Sequence, residues 1–168
     1  MQYVRVPVME ENELYYFELD DRRVAYRQIV VTDNDHYTVS TRPDFKLSEI
    51  EIEYADNEVI DKAEFERLWD FVLEPYKEEW DQIKSEYSIG QEIMGVIEMF
   101  YPQGIIIRVN DSVYAVTEYE AVKSQVKPEY LYPGYRISGV INGYDDKNFW
   151  LVLAACSMKG ERISSSTP

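Results

Sequence analysis

Alternating hydrophobic and polar residues dominate the start of the chain and predict β-strands. Short polar turns separate four such runs, residues 3–8, 14–19, 24–31 and 37–41. Strict alternation is typical of a strand with one buried face, and short polar turns join antiparallel neighbours. The region therefore predicts an antiparallel meander. Beyond it, Ile50, Ile52 and Tyr54 alternate with glutamates, which predicts one more half-buried strand.

After Asp61 the hydrophobic spacing changes to that of a helix. The apolar side chains at this spacing are Phe65, Leu68, Trp69, Val72 and Leu73. Residues three and four positions apart share one face of a helix, so this segment predicts an amphipathic helix packed on the sheet. Pro75 interrupts the pattern, and Tyr76 and Trp80 resume it. Because proline removes a backbone donor, we expect a kink or a short break followed by a second helix.

Five short strand-like segments follow Ser88. They are residues 93–100, 104–109, 113–117, 135–141 and 149–154. Their tight turns and one long connection suit a small Greek-key barrel. The predicted fold class is therefore α+β, with three parts. They are an N-terminal antiparallel sheet with a packed helix in residues 1–87, a five-stranded OB-like barrel in residues 88–158, and a polar tail in residues 159–168.

Charge is distributed unevenly along the chain, whose net charge is −15. Residues 1–87 carry 23 acidic and 10 basic side chains, whereas residues 88–154 carry 8 and 5. An acidic field repels phosphate backbones and attracts basic partners, so it favours a basic protein partner, or simple solubility, over general nucleic-acid binding. The acidic side of the predicted helix is the candidate protein-partner surface, formed by Glu66, Asp70, Glu74, Glu78, Glu79 and Asp81.

Glycines and strand ends recur in a defined order within residues 88–154. The first predicted strand contains Gly95-Val96-Ile97, a turn contains Gly104, and the third strand ends at Thr117-Glu118. Gly134 then precedes the fourth strand, and Leu153-Ala154 ends the fifth. This order resembles the S-one domain, the RNA-binding repeat of the large ribosomal small-subunit protein. The resemblance implies an OB-fold that binds single-stranded RNA.

The positions that bind RNA in that family differ here. Its two phenylalanine positions are Gln103 and Ile106, and its histidine position is Ala115. Base stacking on an aromatic ring is worth roughly 1–3 kcal/mol, so the loss is substantial. Substitute platforms are Tyr101, Tyr114, Tyr144 and Trp150, and possible phosphate contacts are Arg108, Lys123, Lys127, Arg136 and Lys147. The candidate nucleic-acid surface is Tyr101, Gln103, Arg108, Tyr114, Arg136 and Lys147. We expect a scaffold or protein-binding barrel, with single-stranded RNA binding as the alternative.

The strand-turn-strand pattern of residues 13–31 is similar to a group of small acidic bacterial proteins that includes immunity proteins of toxin systems. Immunity proteins bind and block a cognate toxin. The similarity implies that the acidic first domain docks or neutralises a basic protein.

Catalytic and metal-binding patterns are absent from the sequence. His36 is the single histidine, and Cys156 is the single cysteine, so neither a metal cluster nor an internal disulfide is predicted. The apolar runs are shorter than the ~20 residues that cross a bilayer. We therefore expect a non-enzymatic, cytoplasmic binding protein without cofactors. The first hypothesis is that this protein docks a basic protein. The specific form of that hypothesis is that it is the immunity protein of a toxin system. The alternatives are an RNA-binding accessory protein and a structural part of a homo-oligomer, because the sequence leaves the oligomeric state open.

Overall fold

The alternating segments near the start of the chain form the predicted antiparallel meander. Its strands are β1 (Gln2–Val8), β2 (Glu13–Leu19), β3 (Ala25–Thr32) and β4 (His36–Val39), and each strand after β1 pairs with the one before it. A two-residue strand, β5 (Val59–Ile60), pairs with β1, which gives the order β4-β3-β2-β1-β5. The computed structural model describes residues 1–163, apart from the side chain of Asn34. The chain divides into two compact units, Met1–Glu78 and Glu79–Pro168, and this sheet belongs to the first.

One face of the sheet is covered by the part of helix α1 (Lys62–Glu86) that belongs to the first unit. Phe65, Trp69 and Leu73 are buried, as the helical spacing predicts, and the ring of Phe65 lies 5.3 Å from that of Tyr3 on β1. Of the kink or short break predicted at Pro75, the break with a second helix is wrong, because the helix is continuous through this residue. Proline inside a helix costs about 3 kcal/mol. Each large apolar side chain buried by the helix contributes about 1.5–3 kcal/mol, so burial outweighs the penalty.

The opposite face of the sheet is covered by the segment that follows β4. Ile52 packs with Val4, Phe17, Leu19 and Ala25, and its N–H donates to the carbonyl of Arg23 at 3.0 Å. The strand predicted over residues 50–54 is therefore wrong: this segment crosses a sheet face and pairs with no strand. Ile50, which the alternation places on the same face as Ile52, is 74% exposed.

The second unit contains a closed five-stranded barrel. Its strands are β6 (Glu92–Tyr101), β7 (Gly104–Arg108), β8 (Tyr114–Thr117), β9 (Arg136–Asp145) and β10 (Trp150–Ser157), and a short helix, α2 (Tyr119–Lys123), follows β8. The order around the barrel is β10-β8-β7-β6-β9. The β8 and β10 strands are parallel and the other pairs are antiparallel. This closed barrel is compatible with an OB-like fold, and the predicted α+β class is confirmed.

The barrel core contains inward-facing aliphatic side chains together with the last turns of α1. Trp80 and Ile83 belong to the same buried cluster as the strand residues Ile97, Ile107 and Leu153. The indole N–H of Trp80 donates to Oδ1 of Asp146 at 2.9 Å. The unit therefore begins within the helix, ahead of the first barrel strand.

Part of the predicted polar tail is attached to the barrel. The N–H of Arg136 donates to the carbonyl of Glu161, and the N–H of Ile163 donates to the carbonyl of Gly134, both at 2.8 Å. Residues 164–168 of the predicted tail lie outside the described residues. Across residues 1–163, none of the helices has the length and apolar content needed to cross a membrane.

Candidate functional site

The predicted nucleic-acid surface of the barrel offers few exposed aromatic rings. Ile106 and Ala115, which the S-one resemblance equates with RNA-binding positions, are fully buried. Trp150, a predicted stacking platform, is 1% exposed and lies 6.0 Å from the half-buried ring of Tyr101. Burial raises the pKa of Tyr101 above its usual range. A base cannot stack on a ring that is enclosed by protein, so Trp150 does not replace the missing phenylalanines.

Two of the five predicted phosphate-binding cations, Arg108 and Arg136, are next to carboxylates. Nε of Arg108 lies 3.4 Å from Glu98, and Nε of Arg136 lies 3.8 Å from Glu161. Lys147 is exposed in the turn that precedes β10. The other two predicted positions, Gln103 and Tyr114, are half-buried. A phosphate would therefore compete with a carboxylate at both arginines.

Glu66, one of the predicted partner-binding carboxylates, turns inward to Arg27. It forms an ion pair with the Arg27 guanidinium, which also bonds Glu18 at 2.7 Å and 3.0 Å. Arg27 is only 4% exposed, although it lies on β3. Burial by itself lowers the pKa of Arg27, but the hydrogen bonds to Glu18 and Glu66 raise it overall. Glu66 is therefore part of an interior ion network and is engaged within the unit.

The Arg27 network also includes aromatic rings. The guanidinium carbon lies 4.9 Å from the ring centre of Phe65 and 5.0 Å from that of Trp69. The hydroxyl of Tyr3 donates to Glu18 at 2.9 Å. Burial and this hydrogen bond raise the pKa of Tyr3 to about 12. The network joins β1, β2 and β3 to α1 and has a structural role in the first unit.

Three of the predicted partner-binding carboxylates form an exposed row on the first unit. Asp70, Glu74 and Glu78 are exposed and follow one another at intervals of four residues along α1. Residues at this spacing lie on one side of a helix. We call this row the acidic stripe; the exposed Arg67 lies beside its N-terminal end. The remaining two predicted carboxylates belong to the second unit, where Glu79 is half-buried and Asp81 lies 3.8 Å from Lys84.

A groove of about 580 Å³ runs beside the acidic stripe in the first unit. Its apolar lining, most of which belongs to β4 and α1, consists of Tyr37, Val39, Pro43, Phe71, Val72, Pro75 and Tyr76. Asp35, His36, Asp44 and Glu74 complete the lining. We call it the α1–β4 groove. It combines an apolar floor with carboxylates, which is the composition of a site for a cationic and apolar group.

Phe71 is the most informative residue of the α1–β4 groove. It is 65% exposed, and its ring meets that of Tyr37 edge-on at 6.0 Å between centroids. The helical spacing of the apolar residues leaves Phe71 off the predicted buried face, so this spacing does not indicate it. The sequence feature that could have identified Phe71 is its place on the polar side of an amphipathic helix, directly after Asp70.

The single histidine and the single cysteine lie in different units. Cys156 is buried, and burial raises the pKa of its thiol, whose sulfur lies 3.4 Å from Thr117 Oγ1. His36 is exposed at the groove. In residues 1–163, no group of three histidine, cysteine, aspartate or glutamate side chains is arranged to hold a metal ion.

Comparison with known proteins adds no family to these observations. No family model matches the chain. No curated protein matches it significantly. The OB-like barrel therefore rests on its strand order, and neither the S-one nor the immunity-protein resemblance has support from a relative.

Proposed function

We propose that the protein is a non-enzymatic binding protein whose acidic N-terminal unit docks a basic protein partner. Residues 1–78 carry 20 acidic and 9 basic side chains. The observation that carries the proposal is the acidic stripe, Asp70, Glu74 and Glu78, beside the exposed ring of Phe71. An immunity protein that blocks a basic toxin is the specific form of this proposal.

Charge and apolar surface have separate roles in such docking. A carboxylate-rich surface raises the association rate with a basic protein and rejects acidic ones, while each exposed ion pair adds little affinity. Apolar contact at the centre of an interface supplies the larger share of binding energy, and Phe71 is positioned to provide it. The same acidic field opposes phosphate backbones.

The experiment compares two triple variants of equal charge. One neutralises the acidic stripe (Asp70→Asn, Glu74→Gln, Glu78→Gln). The other neutralises three exposed glutamates of the same unit outside the stripe, Glu49→Gln, Glu51→Gln and Glu53→Gln. The probe is labelled poly-L-lysine of about 20 residues, measured by fluorescence anisotropy at low and moderate salt. Exposed ion pairs are worth about 0.2–1 kcal/mol each, so the stripe variant should bind about tenfold more weakly.

The control variant should lose no more than about threefold, because it keeps the stripe and alters only net charge. Equal losses in the two variants would mean that the polycation senses total charge without a docking surface. Absence of binding to the unmodified protein at low salt would also contradict the proposal. Binding that weakens steeply with salt and depends on the stripe supports it.

A further inference from the structure

The α1–β4 groove leaves one aromatic face open. At one end, the chain's own Arg42 lies over the ring of Tyr76, with 5.7 Å between its guanidinium carbon and the ring centre. Phe71 is instead 65% exposed and contacts Tyr37 edge-on. An aromatic ring with this exposure can still gain apolar contact from a second molecule. The open part of the groove is therefore an apolar floor centred on Phe71.

Carboxylates flank this floor. Asp35 and Glu74 are exposed, and Asp44 uses one oxygen to accept the N–H of Val39 at 3.0 Å. A purely apolar occupant would leave these charges without partners near the interface. A lysine or arginine beside the apolar side chain would meet them, so the groove fits a group that is apolar at one point and cationic next to it.

We do not expect the partner to bind by adding a strand to the edge of β4. On the edge of β4, the N–H of Val39 is engaged by Asp44, and its carbonyl accepts the N–H of Lys46 at 2.9 Å. An added strand would have to displace both bonds. We therefore expect the contact to be made by side chains.

A second copy of this chain is a poor occupant for electrostatic reasons. Each copy carries a net charge of −15, so two copies repel one another. A basic partner removes this repulsion and is attracted by the same charge. Charge complementarity thus selects a different protein over self-association.

From these observations we propose that the α1–β4 groove seats an apolar side chain next to a lysine or arginine on an exposed segment of the basic partner. This inference rests on the proposed function and names the contact that gives it specificity. The apolar side chain packs on Phe71, while the adjacent cation faces Glu74 and Asp35.

Three labelled decapeptides test the inference with the full chain, using fluorescence anisotropy. They alternate leucine with arginine, serine with arginine, and leucine with glutamate. The leucine–arginine peptide should bind at least tenfold more tightly than the serine–arginine peptide, and the leucine–glutamate peptide should not bind. Phe71→Ala should remove the tenfold preference, whereas Phe71→Leu should keep most of it. Ile50→Ala is the matched control, because Ile50 is a similarly exposed apolar residue of the same unit, 74% exposed, outside the groove.

The outcomes distinguish failure of this inference from failure of the proposed function. If the two basic peptides bind equally well and neutralising the acidic stripe weakens both, the function stands and the groove has no role. If neither basic peptide binds, the proposed function fails as well. Phe71→Ala behaving like Ile50→Ala would overturn the inference. A dimer detected by light scattering that dissociates in Phe71→Ala would replace the basic partner with a second copy.

Discussion

Replacing Arg27 by methionine tests whether the buried ion network stabilises the first unit. Arg27→Met keeps a long apolar side chain beside Phe65 and Trp69 but removes the charge between Glu18 and Glu66. Both carboxylates are well shielded, with 13% and 15% of their side chains exposed. They would then face each other without a cation, which is the costly way to break a buried ion pair.

The expected loss of unfolding free energy decreases from Arg27→Met to Glu66→Gln to Arg5→Met. Removing one partner of a buried ion pair costs about 3–5 kcal/mol of unfolding free energy, so Arg27→Met should lose that much. Glu66→Gln leaves the two bonds between Arg27 and Glu18 in place and should cost about 1.5–3 kcal/mol, the value of one bond to a charged group. Arg5→Met changes an exposed arginine of the same sheet and should stay within about 0.5 kcal/mol.

The assay is urea unfolding followed through amide NMR signals, because the signals of residues 1–78 report this unit separately. A combined variant, Arg27→Met with Glu18→Gln and Glu66→Gln, removes the uncompensated charges and should recover at least half of the loss. If Arg27→Met loses no more than Arg5→Met, the network does not stabilise the unit. If the combined variant recovers nothing, the loss comes from packing and the electrostatic reasoning is wrong.

Three further predictions concern the barrel, its ligand and alkaline pH. Titration with labelled single-stranded RNA at about 150 mM salt should show no saturable binding. Saturable binding that is lost in Tyr101→Ala and in Arg108→Ala would contradict this prediction. Gly95→Ala should lose about 1–3 kcal/mol in urea unfolding, because a Cβ there lies 2.7 Å from the Arg108 carbonyl oxygen. Gly143→Ala meets nothing closer than 3.8 Å and is the control; equal losses would refute the steric explanation. The folded protein keeps the Tyr3 proton to a pKa of about 12, against about 10 when unfolded, so stability falls as pH rises through this interval. Tyr3→Phe should reduce that fall between pH 9 and 11, and an unchanged slope would contradict it.

The fold could be predicted where hydrophobic spacing follows local geometry. The alternation of residues 3–41 predicted the strands of the meander, and the helical spacing of Phe65, Trp69 and Leu73 predicted the buried side of α1. Spacing alone does not reveal whether a strand has a free edge to join. Residues 50–54 alternate like a strand, but Val59–Ile60 pairs with β1, and Ile52 packs across the sheet face.

The candidate site was less predictable because its residues depend on distant partners. Glu66 looks like any other acidic residue of α1, and its turn inward is caused by Arg27, 39 residues earlier in the chain. The sequence does contain one indication, because Arg27 falls at an inward-facing position of an alternating strand. A buried guanidinium requires a carboxylate partner. Phe71 presents the opposite case, because it is 65% exposed on the polar side of α1, where helical spacing gives it no place in the core.

The resemblance of the barrel to an RNA-binding domain depends on two kinds of position, glycines where strands approach closely and aromatic residues that stack on bases. This chain has the glycines without the aromatic residues. A Cβ at Gly95 would lie 2.7 Å from the carbonyl oxygen of Arg108, and one at Gly104, where φ is +147°, would lie 2.3 Å from that of Thr117. Close strand approach requires glycine at both positions whether or not the barrel binds a ligand. The stacking positions are determined by the ligand instead, and here Ile106 and Ala115 are buried. Glycines of this kind therefore predict the barrel, and only exposed aromatic residues at the stacking positions would extend that prediction to RNA.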